Sequence, residues 1–387
     1  MISPCPSMDE GKTDSCMIEA SGFFPEAFFV GRGGMPHYCH DYALCFPEEK
    51  GENMTARKLR TVVAGGGSWG TALAHVLAWN GHDVTIALRD EAVSRAINER
   101  HENPHYLPGK CLHPGVKAST SPEVLTDCGF LVLAVPCQHQ RAWLQANRHR
   151  LAPGCVLVNA SKGFEASTAL PMSRIAHEAL AGQDFRYSVL SGPSFAAEVM
   201  EEHPTAVVLG CSDETLGAQL REHFSTPFFR CYSSTDVIGV EAGGSLKNVM
   251  AIAAGMCDGL GFGSNARAAL ITRGLAELAR IGVAMGARPL TFMGLSGLGD
   301  LTLTCNGALS RNRQVGLRLG QGESLEDIVS SLGMVAEGVK TTQAALHLAN
   351  LHHVAAPITE TVYRIIHENA APRDAVTELM TRALKEE

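Results

Sequence analysis

A single lysine interrupts a stretch of small and apolar residues that carries almost no other charge. Lys247 lies in the run 243–256, whose glycines, alanines and aliphatic residues occur at helical density and predict a buried helix. Burial disfavours an ammonium group and lowers its pKa, so this lysine could exchange a proton near neutral pH. The alternative is a snorkelling lysine whose stem is buried and whose head reaches water. The pattern therefore favours Lys247 as a candidate general acid or base.

A second group with chemical potential is the glycine-rich run that follows the first apolar strand pattern. Gly65, Gly67 and Gly70 form the pattern G-x-G-x-x-G between that strand and an apolar helix. We expect Gly65 to permit a tight turn, Gly67 to let the backbone approach a pyrophosphate, and Gly70 to let helix and strand pack closely. The free N–H groups of the helix N-terminus favour an anion there. The run predicts a dinucleotide site, the alternative being a glycine-rich turn without a ligand.

The end of the second strand pattern bears on the choice of cofactor. Arg89 lies 89 − 70 = 19 positions beyond Gly70, where a carboxylate would bind the ribose 2′-hydroxyl of NAD. An arginine can instead pair with the 2′-phosphate of NADP. Asp90 follows directly and keeps NAD possible. We therefore favour NADP(H) as the cofactor and keep NAD(H) as a possibility, unless Arg89 is only a solvated loop charge.

Two kinds of periodicity divide the chain. Strand patterns alternate with helices in the first part, at 60–64, 84–88, 130–135, 156–160, 187–190 and 205–209. Helical patterns alone follow, at 240–284, 313–319, 325–331, 341–350, 358–367 and 373–385. We predict an α/β fold: a Rossmann-like, dinucleotide-binding domain with a parallel, doubly wound sheet at 57–238, then an all-α substrate domain at 239–387. Residues 1–56 are expected to be an N-terminal extension, disordered and without assigned function.

Composition excludes several classes of function. The chain has 387 residues, 45% hydrophobic and 19% charged, with a formal net charge of −8, so it lacks the basic balance of a nucleic-acid-binding protein. We find no apolar run that approaches the roughly 20 residues needed to span a bilayer, and no secretory signal. We therefore expect a cytoplasmic protein without nucleic-acid or membrane partners.

Cysteine usage gives no clear metal site. The cysteines between Cys111 and Cys305 are scattered singly through apolar segments and are expected to be small core residues. Four more lie near the N-terminus, where Cys39 has His37 and His40 as neighbours, but no tight Cys-x-x-Cys pair occurs there. A zinc site is the weaker interpretation, and no metal is predicted.

The chain resembles the NAD(P)-dependent glycerol-3-phosphate dehydrogenases of the bacterial biosynthetic type over roughly residues 60–385. The glycine-rich run and the segment around Lys247 carry this resemblance. Its most specific matches are the runs 243–248, 259–267 and 272–274, and further matches lie at 161–163, 191–196, 297–300 and 310–313. In that family a hydride passes reversibly between a nicotinamide and C2 of dihydroxyacetone phosphate, giving sn-glycerol 3-phosphate. The product supplies the glycerophospholipid backbone.

The resemblance implies roles for particular residues. Lys247 would be the general acid or base, with Lys162 and Asp300 as further catalytic residues, and Arg311 with Asn312 would bind the phosphate. The implied substrate site comprises Lys162, Gly192, Ser194, Lys247, Asn248, Asp300, Ser310, Arg311 and Asn312. The implied cofactor site comprises Gly65, Gly67, Ser68, Trp69, Gly70, Arg89, Lys162, Ala196, Arg311, Val335 and Glu337. Without the resemblance, Lys162 would be a surface lysine after a strand, Asp300 a helix N-cap, and Glu337 part of an ordinary helix N-terminus.

Two other functions stay open on the sequence. Another two-domain hydroxyacid or polyol dehydrogenase would share the glycine-rich run and a lysine–asparagine pair such as Lys247–Asn248, but would not need Arg311 for a phosphate. A dinucleotide-sensing regulator without catalysis would need no lysine inside an apolar helix. By resemblance, we also expect a homodimer formed through the helical domain.

Overall fold

The computed structural model describes residues 60–126, 128–332 and 336–381. Eight strands are present: β1 (Arg60–Ala64), β2 (Asp83–Ala87), β3 (Val116–Ser119), β4 (Phe130–Leu133), β5 (Cys155–Asn159), β6 (Phe185–Ser191), β7 (Thr205–Gly210) and β8 (Phe229–Ser234). They form one sheet in the order β3-β2-β1-β4-β5-β6-β7-β8. The predicted Rossmann-like sheet is confirmed, and residues 1–56, which were assigned to an extension, lie outside the described residues.

The direction of β7 differs from the prediction of a parallel sheet. Neighbouring strands are parallel from β3 through β6, but β7 runs antiparallel to β6, and β8 is parallel to β7. The connection between β6 and β7 contains only one short helix, α5 (Ala196–Met200). Five helical residues rise about 7.5 Å, less than half the length of a six-residue strand. The chain therefore enters β7 at the same end of the sheet at which it left β6, and the two strands run in opposite directions.

The two edge strands, β3 and β8, were not predicted. In both of them buried residues alternate with exposed ones, and Lys117 and Arg230 face solvent. Such short, partly polar strands are common at sheet edges, where they prevent further pairing. Because their apolar runs are interrupted, their sequences lack the continuous pattern that marks the central strands.

Helices cover both faces of the sheet. They are α1 (Ser68–Trp79), α2 (Glu91–Arg100), α3 (Cys137–Asn147), α4 (Met172–Ala179), α5 and α6 (Glu214–Phe224). Val63 and Val132 belong to one buried cluster, whereas their strand neighbours Val62 and Leu131 belong to another. Successive strand residues face opposite sides. The sheet is therefore buried on both faces, as a doubly wound fold requires.

The rest of the described chain is helical and contains no further strand, as predicted. Its helices are α7 (Val237–Gly259), α8 (Ser264–Ala284), α9 (Asp300–Asn306), α10 (Arg311–Gly320), α11 (Leu325–Leu332), α12 (Glu337–Leu351), α13 (Pro357–His367) and α14 (Pro372–Met380). A π-helical turn, Leu295–Gly299, precedes α9. The predicted domain boundary after residue 238 falls inside the first turn of α7, and the boundary itself stays a prediction.

Helix α7 is the central element of the molecule. It packs against β6 and β7 as well as against α8, α9, α10 and α12. Contrary to the sequence analysis, one segment of the described chain is long and apolar enough to cross a membrane, and it is this helix of 23 residues. In its most apolar window 89% is buried inside the protein, as expected for a core helix.

Close packing between α7 and α10 depends on glycine. A Cβ on Gly255 would lie 2.0 Å from the carbonyl oxygen of Arg313, and one on Gly316 would lie 1.9 Å from that of Ile252. The two helix backbones therefore touch without side chains between them. This contact brings the first residues of α10 beside the middle of α7, where Lys247 lies.

Candidate active site

The glycine-rich turn joins β1 to α1. Gly65 has a φ of 116°, and a Cβ there would lie 2.7 Å from the carbonyl oxygen of Ala134. A Cβ on Gly70 would lie 2.0 Å from the carbonyl oxygen of Gly65, so only glycine permits this packing of helix on strand. Around the Cβ position of Gly67, the N-cap of α1, no described atom lies within 4 Å. The geometry fits the backbone cradle that a dinucleotide pyrophosphate needs.

Arg89 and Asp90, which follow β2, differ in whether their side chains are bound within the protein. Asp90 is the N-cap of α2, and its Oδ1 accepts hydrogen bonds from the backbone N–H groups of Ala92 at 2.8 Å and Val93 at 3.1 Å. Arg89 is exposed and makes no hydrogen bond or ion pair with the rest of the described chain. The arginine is therefore available to a ligand, whereas the carboxylate is already used to begin a helix.

The side chains of Ser68 and Trp69 are bound to the protein. The Ser68 hydroxyl donates to the carbonyl oxygen of Tyr106 at 3.0 Å, and the Trp69 indole N–H donates to that of Ala160, also at 3.0 Å. Both residues lie in the first turn of α1, where backbone N–H groups have no partner within the helix. Their cofactor contacts stay predictions, and the backbone N–H groups are the donors that the two side chains leave open. Trp69 also ties the glycine-rich turn to the loop that carries Lys162.

Lys247 is buried in α7, with 7% of its surface exposed. Its Nζ donates to Asp300 Oδ1 at 2.5 Å and to the Thr304 hydroxyl at 2.6 Å. Burial lowers the pKa of Lys247 to about 8; the charge of Lys162 lowers it too, while Asp300 raises it. The snorkelling alternative is thus wrong, because the ammonium group is enclosed and paired rather than solvated. An amine with this pKa has both protonation states accessible near neutral pH.

Lys162 meets the same carboxylate. It follows β5, and its Nζ donates to Asp300 Oδ2 at 2.7 Å and to the Gly192 carbonyl oxygen at 2.8 Å. Asp300 is 1% exposed and begins α9 directly after the π-helical turn. It does not cap that helix through its side chain, because both carboxylate oxygens are held by ammonium groups. We call Lys162, Lys247, Asp300 and Thr304 the lysine–aspartate cluster.

Thr304 was not recognised in the sequence. Its hydroxyl donates to the backbone carbonyl of Asp300 at 2.6 Å, and this leaves an oxygen lone pair for the Lys247 ammonium. Spacing could have revealed it, because residues four apart on a helix lie on one face. The threonine therefore fixes the side of Lys247 that Asp300 does not hold.

The loop after β6 presents the carbonyl oxygen of Gly192 to two side chains. Gly192 has a φ of 137°, and a Cβ there would lie 2.9 Å from Cα of Val207. Its carbonyl oxygen accepts from Lys162 and, at 3.0 Å, from the Ser194 hydroxyl. Ala196 begins α5 just beyond. The structure thus brings Gly192 and Ser194 to Lys162, while their contacts with substrate, and that of Ala196 with cofactor, stay predictions.

Arg311 and Glu337 are close enough for their charges to interact, and Glu337 also reaches the sheet part of the molecule. Arg311 begins α10 and is exposed, yet partial burial lowers its pKa while Glu337 raises it. Glu337 begins α12, and its carboxylate accepts the backbone N–H of Cys137 at the start of α3. Burial raises the pKa of Glu337, whose Oε2 is buried without a hydrogen-bond partner among the described residues. Val335, predicted beside it, lies outside the described residues.

The side chain of Asn312 is occupied by the protein, unlike the phosphate-binding amide that the sequence analysis expects. Its Nδ2 donates to Asn248 Oδ1 at 2.9 Å, and its Oδ1 accepts the backbone N–H of Gly338 at 3.0 Å. Ser310 is the N-cap of α10, accepting the backbone N–H of Arg313 at 3.2 Å. Both residues therefore shape the start of α10, and direct substrate contacts by their side chains stay untested.

Metal-binding groups are not assembled in the part of the chain that the structure describes. There, no three side chains of His, Cys, Asp or Glu are grouped so that they could hold an ion. Seven cysteines in this part are buried, but Cys111 is exposed, contrary to the expectation of a core residue. It lies in a loop, and only its hydrophobic neighbour Leu112 enters the core. The N-terminal cysteines and His37 and His40 lie outside the described residues.

A backbone cradle for a dinucleotide, tied by Trp69 to the loop of Lys162 and through Asp300 to the buried amine of Lys247, defines a two-domain dinucleotide-dependent oxidoreductase. Models of the two halves of one family match the chain: the NAD-dependent glycerol-3-phosphate dehydrogenase N-terminus at residues 60–217 and its C-terminus at 236–377. The chain belongs to the NAD-dependent glycerol-3-phosphate dehydrogenase family.

Individual relatives agree with the family models. A glycerol-3-phosphate dehydrogenase [NAD(P)+] of Desulfovibrio desulfuricans is 60% identical over 332 residues, which cover 86% of this chain and 100% of the relative. One of Nitratidesulfovibrio vulgaris is 58% identical over 330 residues, covering 85% and 100%. The crystal structure of glycerol-3-phosphate dehydrogenase from Coxiella burnetii has a TM-score of 0.79 at 36% identity and covers 83% of this chain and 98% of that one.

Proposed function

We propose that this chain catalyses the reversible reduction of dihydroxyacetone phosphate to sn-glycerol 3-phosphate with a nicotinamide dinucleotide, and so supplies the glycerophospholipid backbone. One observation carries the proposal: Lys247 is buried and held by Asp300 and Thr304, and its burial lowers its pKa to about 8. A ketone that accepts a hydride also needs a proton on its oxygen. This lysine is the group placed to supply it.

The proton transfer follows from the protonation state of Lys247. When bound, the reduced nicotinamide supplies a hydride to C2 of the ketone. The Lys247 ammonium donates a hydrogen bond to the developing alkoxide and transfers its proton to that oxygen, leaving a neutral amine. In the reverse direction the amine takes the proton of the C2 hydroxyl. Asp300 keeps the Nζ in place throughout, and the second ammonium group, of Lys162, adds positive charge beside the negative oxygen.

The phosphate of the substrate fits the start of α10. Arg311 supplies a guanidinium group, which binds phosphate oxygens in a bidentate manner. The first backbone N–H groups of α10, at Arg311 and Asn312, have no partner within the helix, and such groups favour an anion. The Asn312 side chain instead holds Asn248. We therefore assign phosphate recognition to Arg311 and the helix N-terminus.

The cofactor is assigned to the cradle formed by Gly65, Gly67 and Gly70, with NADP(H) preferred over NAD(H). Two observations support this preference. Arg89 is exposed and unengaged within the described chain, and the carboxylate of Asp90, which could bind a ribose hydroxyl, already caps α2. An unpaired guanidinium near the ribose favours a 2′-phosphate.

We also propose a cytoplasmic homodimer formed through the helical part. Ten large apolar side chains among the described residues are exposed, and eight of them follow residue 237: Ile238, Val283, Leu290, Met293, Leu298, Leu309, Val329 and Leu351. A contiguous patch of exposed apolar side chains is typical of subunit interfaces, and we expect a dimer to cover several of these residues. Light scattering of the purified protein would test the dimer, and a monomer at assay concentrations would contradict it.

A paired assay tests the reaction, the substrate and the cofactor together. Purified protein is mixed with dihydroxyacetone phosphate and either NADPH or NADH, and loss of the reduced cofactor is followed by absorbance. We expect turnover with both cofactors and a higher kcat/KM with NADPH. Dihydroxyacetone without phosphate is the matched control, and it should react poorly. A folded protein that binds NADPH but turns over neither ketone would instead be a dinucleotide sensor.

A further inference from the structure

A loop between α2 and β3 holds the glycine-rich turn in place. We call residues 101–112 the strap. Its base is closed by an antiparallel bridge between Glu102 and Cys111 and by a hydrogen bond of 2.7 Å from the Leu112 N–H to the His101 carbonyl oxygen. Leu107, at its middle, is 5% exposed and packs in the core beneath the sheet's helices. The strap is thus a fixed part of the fold.

Asn103 connects the strap to the turn, and it is completely buried. Its Nδ2 donates to the Gly66 carbonyl oxygen at 2.9 Å and to the Thr71 hydroxyl at 2.8 Å, and its Oδ1 accepts the Tyr106 N–H at 3.3 Å. The hydroxyl of Ser68 donates to the carbonyl oxygen of the same tyrosine. The amide nitrogen of Asn103 therefore joins the strap to the cradle, while its amide oxygen holds the strap's own backbone.

The contact with Gly66 determines how one peptide group is oriented. The chain has no cis peptide bond among the described residues, and in a trans peptide the C=O of Gly66 and the N–H of Gly67 point in opposite directions. Asn103 pulls the carbonyl group toward the strap, so the N–H of Gly67 is turned away from it. Glycine allows many backbone conformations, so Gly65, Gly66 and Gly67 would not keep this orientation unaided.

We infer that Asn103 is a positioning residue for the cofactor: it holds the Gly66–Gly67 peptide so that the cradle is preformed for the dinucleotide pyrophosphate. Asn103 acts through the backbone and touches no reacting atom. This inference rests on the cofactor site of the proposed function. A preformed site lowers the entropic cost of binding. Loss of Asn103 should therefore weaken every ligand that contains the pyrophosphate and leave the proton-transfer chemistry unchanged.

The test compares two asparagines that both bind backbone groups. Asn103→Ala removes the contacts with Gly66 and Thr71. Asn98→Ala is the control, because Asn98 binds the backbone N–H and carbonyl oxygen of Ala118 at 2.9 Å, away from the turn. Equilibrium binding of NADPH and of ADP-ribose, which lacks the nicotinamide, is measured by calorimetry for both variants and for the unchanged protein. Thermal melting shows that each variant is folded.

We expect Asn103→Ala to raise Kd about tenfold for both NADPH and ADP-ribose, as lost preorganisation and hydrogen bonding should. At saturating cofactor, kcat and the KM for dihydroxyacetone phosphate should stay within about threefold, and Asn98→Ala should bind normally. An unchanged Kd in folded Asn103→Ala overturns the inference, and so does an equal loss in both variants, which would mark a merely structural role.

Two further outcomes also decide the matter. If Asn103→Ala does not fold, Thr71→Val removes one partner of Asn103 and keeps the shape of the side chain. A Kd raised about threefold in that variant supports the inference, and an unchanged Kd overturns it. If the unchanged protein binds neither NADPH nor NADH, the proposed function itself fails and the inference fails with it. That outcome can be told apart from failure of the inference alone, because it is seen in the unchanged protein and not only in the variants.

Discussion

The glycine-rich turn and the lysine–aspartate cluster differ in what they are made of. The turn uses backbone groups from one short segment, and its geometry is set by what glycine permits: no side chain fits at Gly65 or Gly70. The cluster uses side chains brought from three places, with Lys162 and Asp300 separated by 138 positions and Lys247 and Asp300 by 53. Backbone cradles suit a cofactor common to many enzymes, whereas side-chain clusters can be specific to one reaction.

This difference predicts that the two regions fail in different ways. Substitutions in the cluster should lower kcat and leave cofactor binding intact, whereas substitutions at the turn or its support should raise Kd for the cofactor. The burial of Lys247 strengthens the contrast, because a group with 7% exposure can exchange protons only with a molecule that reaches it. The following substitutions would confirm or break the comparison.

The largest effect is expected from Lys247→Ala. Without the amine no group protonates the C2 oxygen, and kcat should fall by roughly 10²–10⁴-fold, the usual contribution of general acid–base catalysis. The Kd for NADPH, measured by calorimetry, should stay within about twofold because the cradle is untouched. Lys247→Met is the matched control, since it keeps most of the side-chain volume. Full activity in either variant would remove Lys247 from the mechanism.

Asp300→Asn should have the next largest effect, and it should change the pH profile. Reduction needs the Lys247 ammonium, so its kcat/KM should fall as pH rises through about 8 in the unchanged protein. Asp300 raises the pKa of Lys247, and replacing its charge lets the ammonium lose its proton at lower pH. The decline should therefore begin at lower pH, with kcat reduced about 100-fold because both lysines lose their anchor.

A pH series of initial rates with saturating NADPH checks this prediction. Thr304→Val serves as the comparison, because it removes a neutral partner of Lys247 and should lower kcat with a smaller shift of the profile. If the pH profile of kcat/KM does not move in Asp300→Asn, the fall of kcat/KM at high pH is caused by a group other than Lys247.

Arg311→Ala should act on the substrate more than on the chemistry. Loss of the guanidinium removes charge-assisted hydrogen bonds to the phosphate, and the KM for dihydroxyacetone phosphate should rise about 30-fold. Steady-state kinetics at saturating NADPH measure this value, and cofactor Kd should change little. If instead the affinity for the cofactor collapses, Arg311 binds the dinucleotide, which is the other role that the family resemblance implies for it. Arg313→Ala is the control, since Arg313 is bound to Asp258 by its Nε at 3.0 Å.

The contrast also explains how much could be predicted from the sequence. The glycine roles were predicted because strand, turn and helix follow one another within residues 60–79, so the local pattern contains the geometry. Lys247 stood out because it is a charge in an apolar helix. Asp300 was singled out only through the family resemblance, because nothing local in the sequence indicates which distant residues meet.

Other features depended on contacts that no local pattern encodes. The amide of Asn312 is turned toward Asn248 by the close approach of α7 and α10, and that approach depends on Gly255 and Gly316 in two distant segments. The antiparallel β7 follows from a connection too short to cross the sheet. Asn103 gave no signal, because a buried asparagine in a loop looks like any turn residue until its partners are known.

The smallest effect, and the finest test of the comparison, is expected from Arg89→Asp. This substitution lies at the cofactor region but involves a side chain, so it should change which cofactor is preferred rather than whether one is bound. Loss of the guanidinium and gain of a carboxylate should lower the ratio of kcat/KM for NADPH to that for NADH by about tenfold, with kcat nearly unchanged. Asp90→Ala is the control: it should cost about 1 kcal/mol of folding free energy through the lost cap on α2, and leave the preference as it is. An unchanged ratio in Arg89→Asp would mean that the 2′-phosphate is read by some other residue.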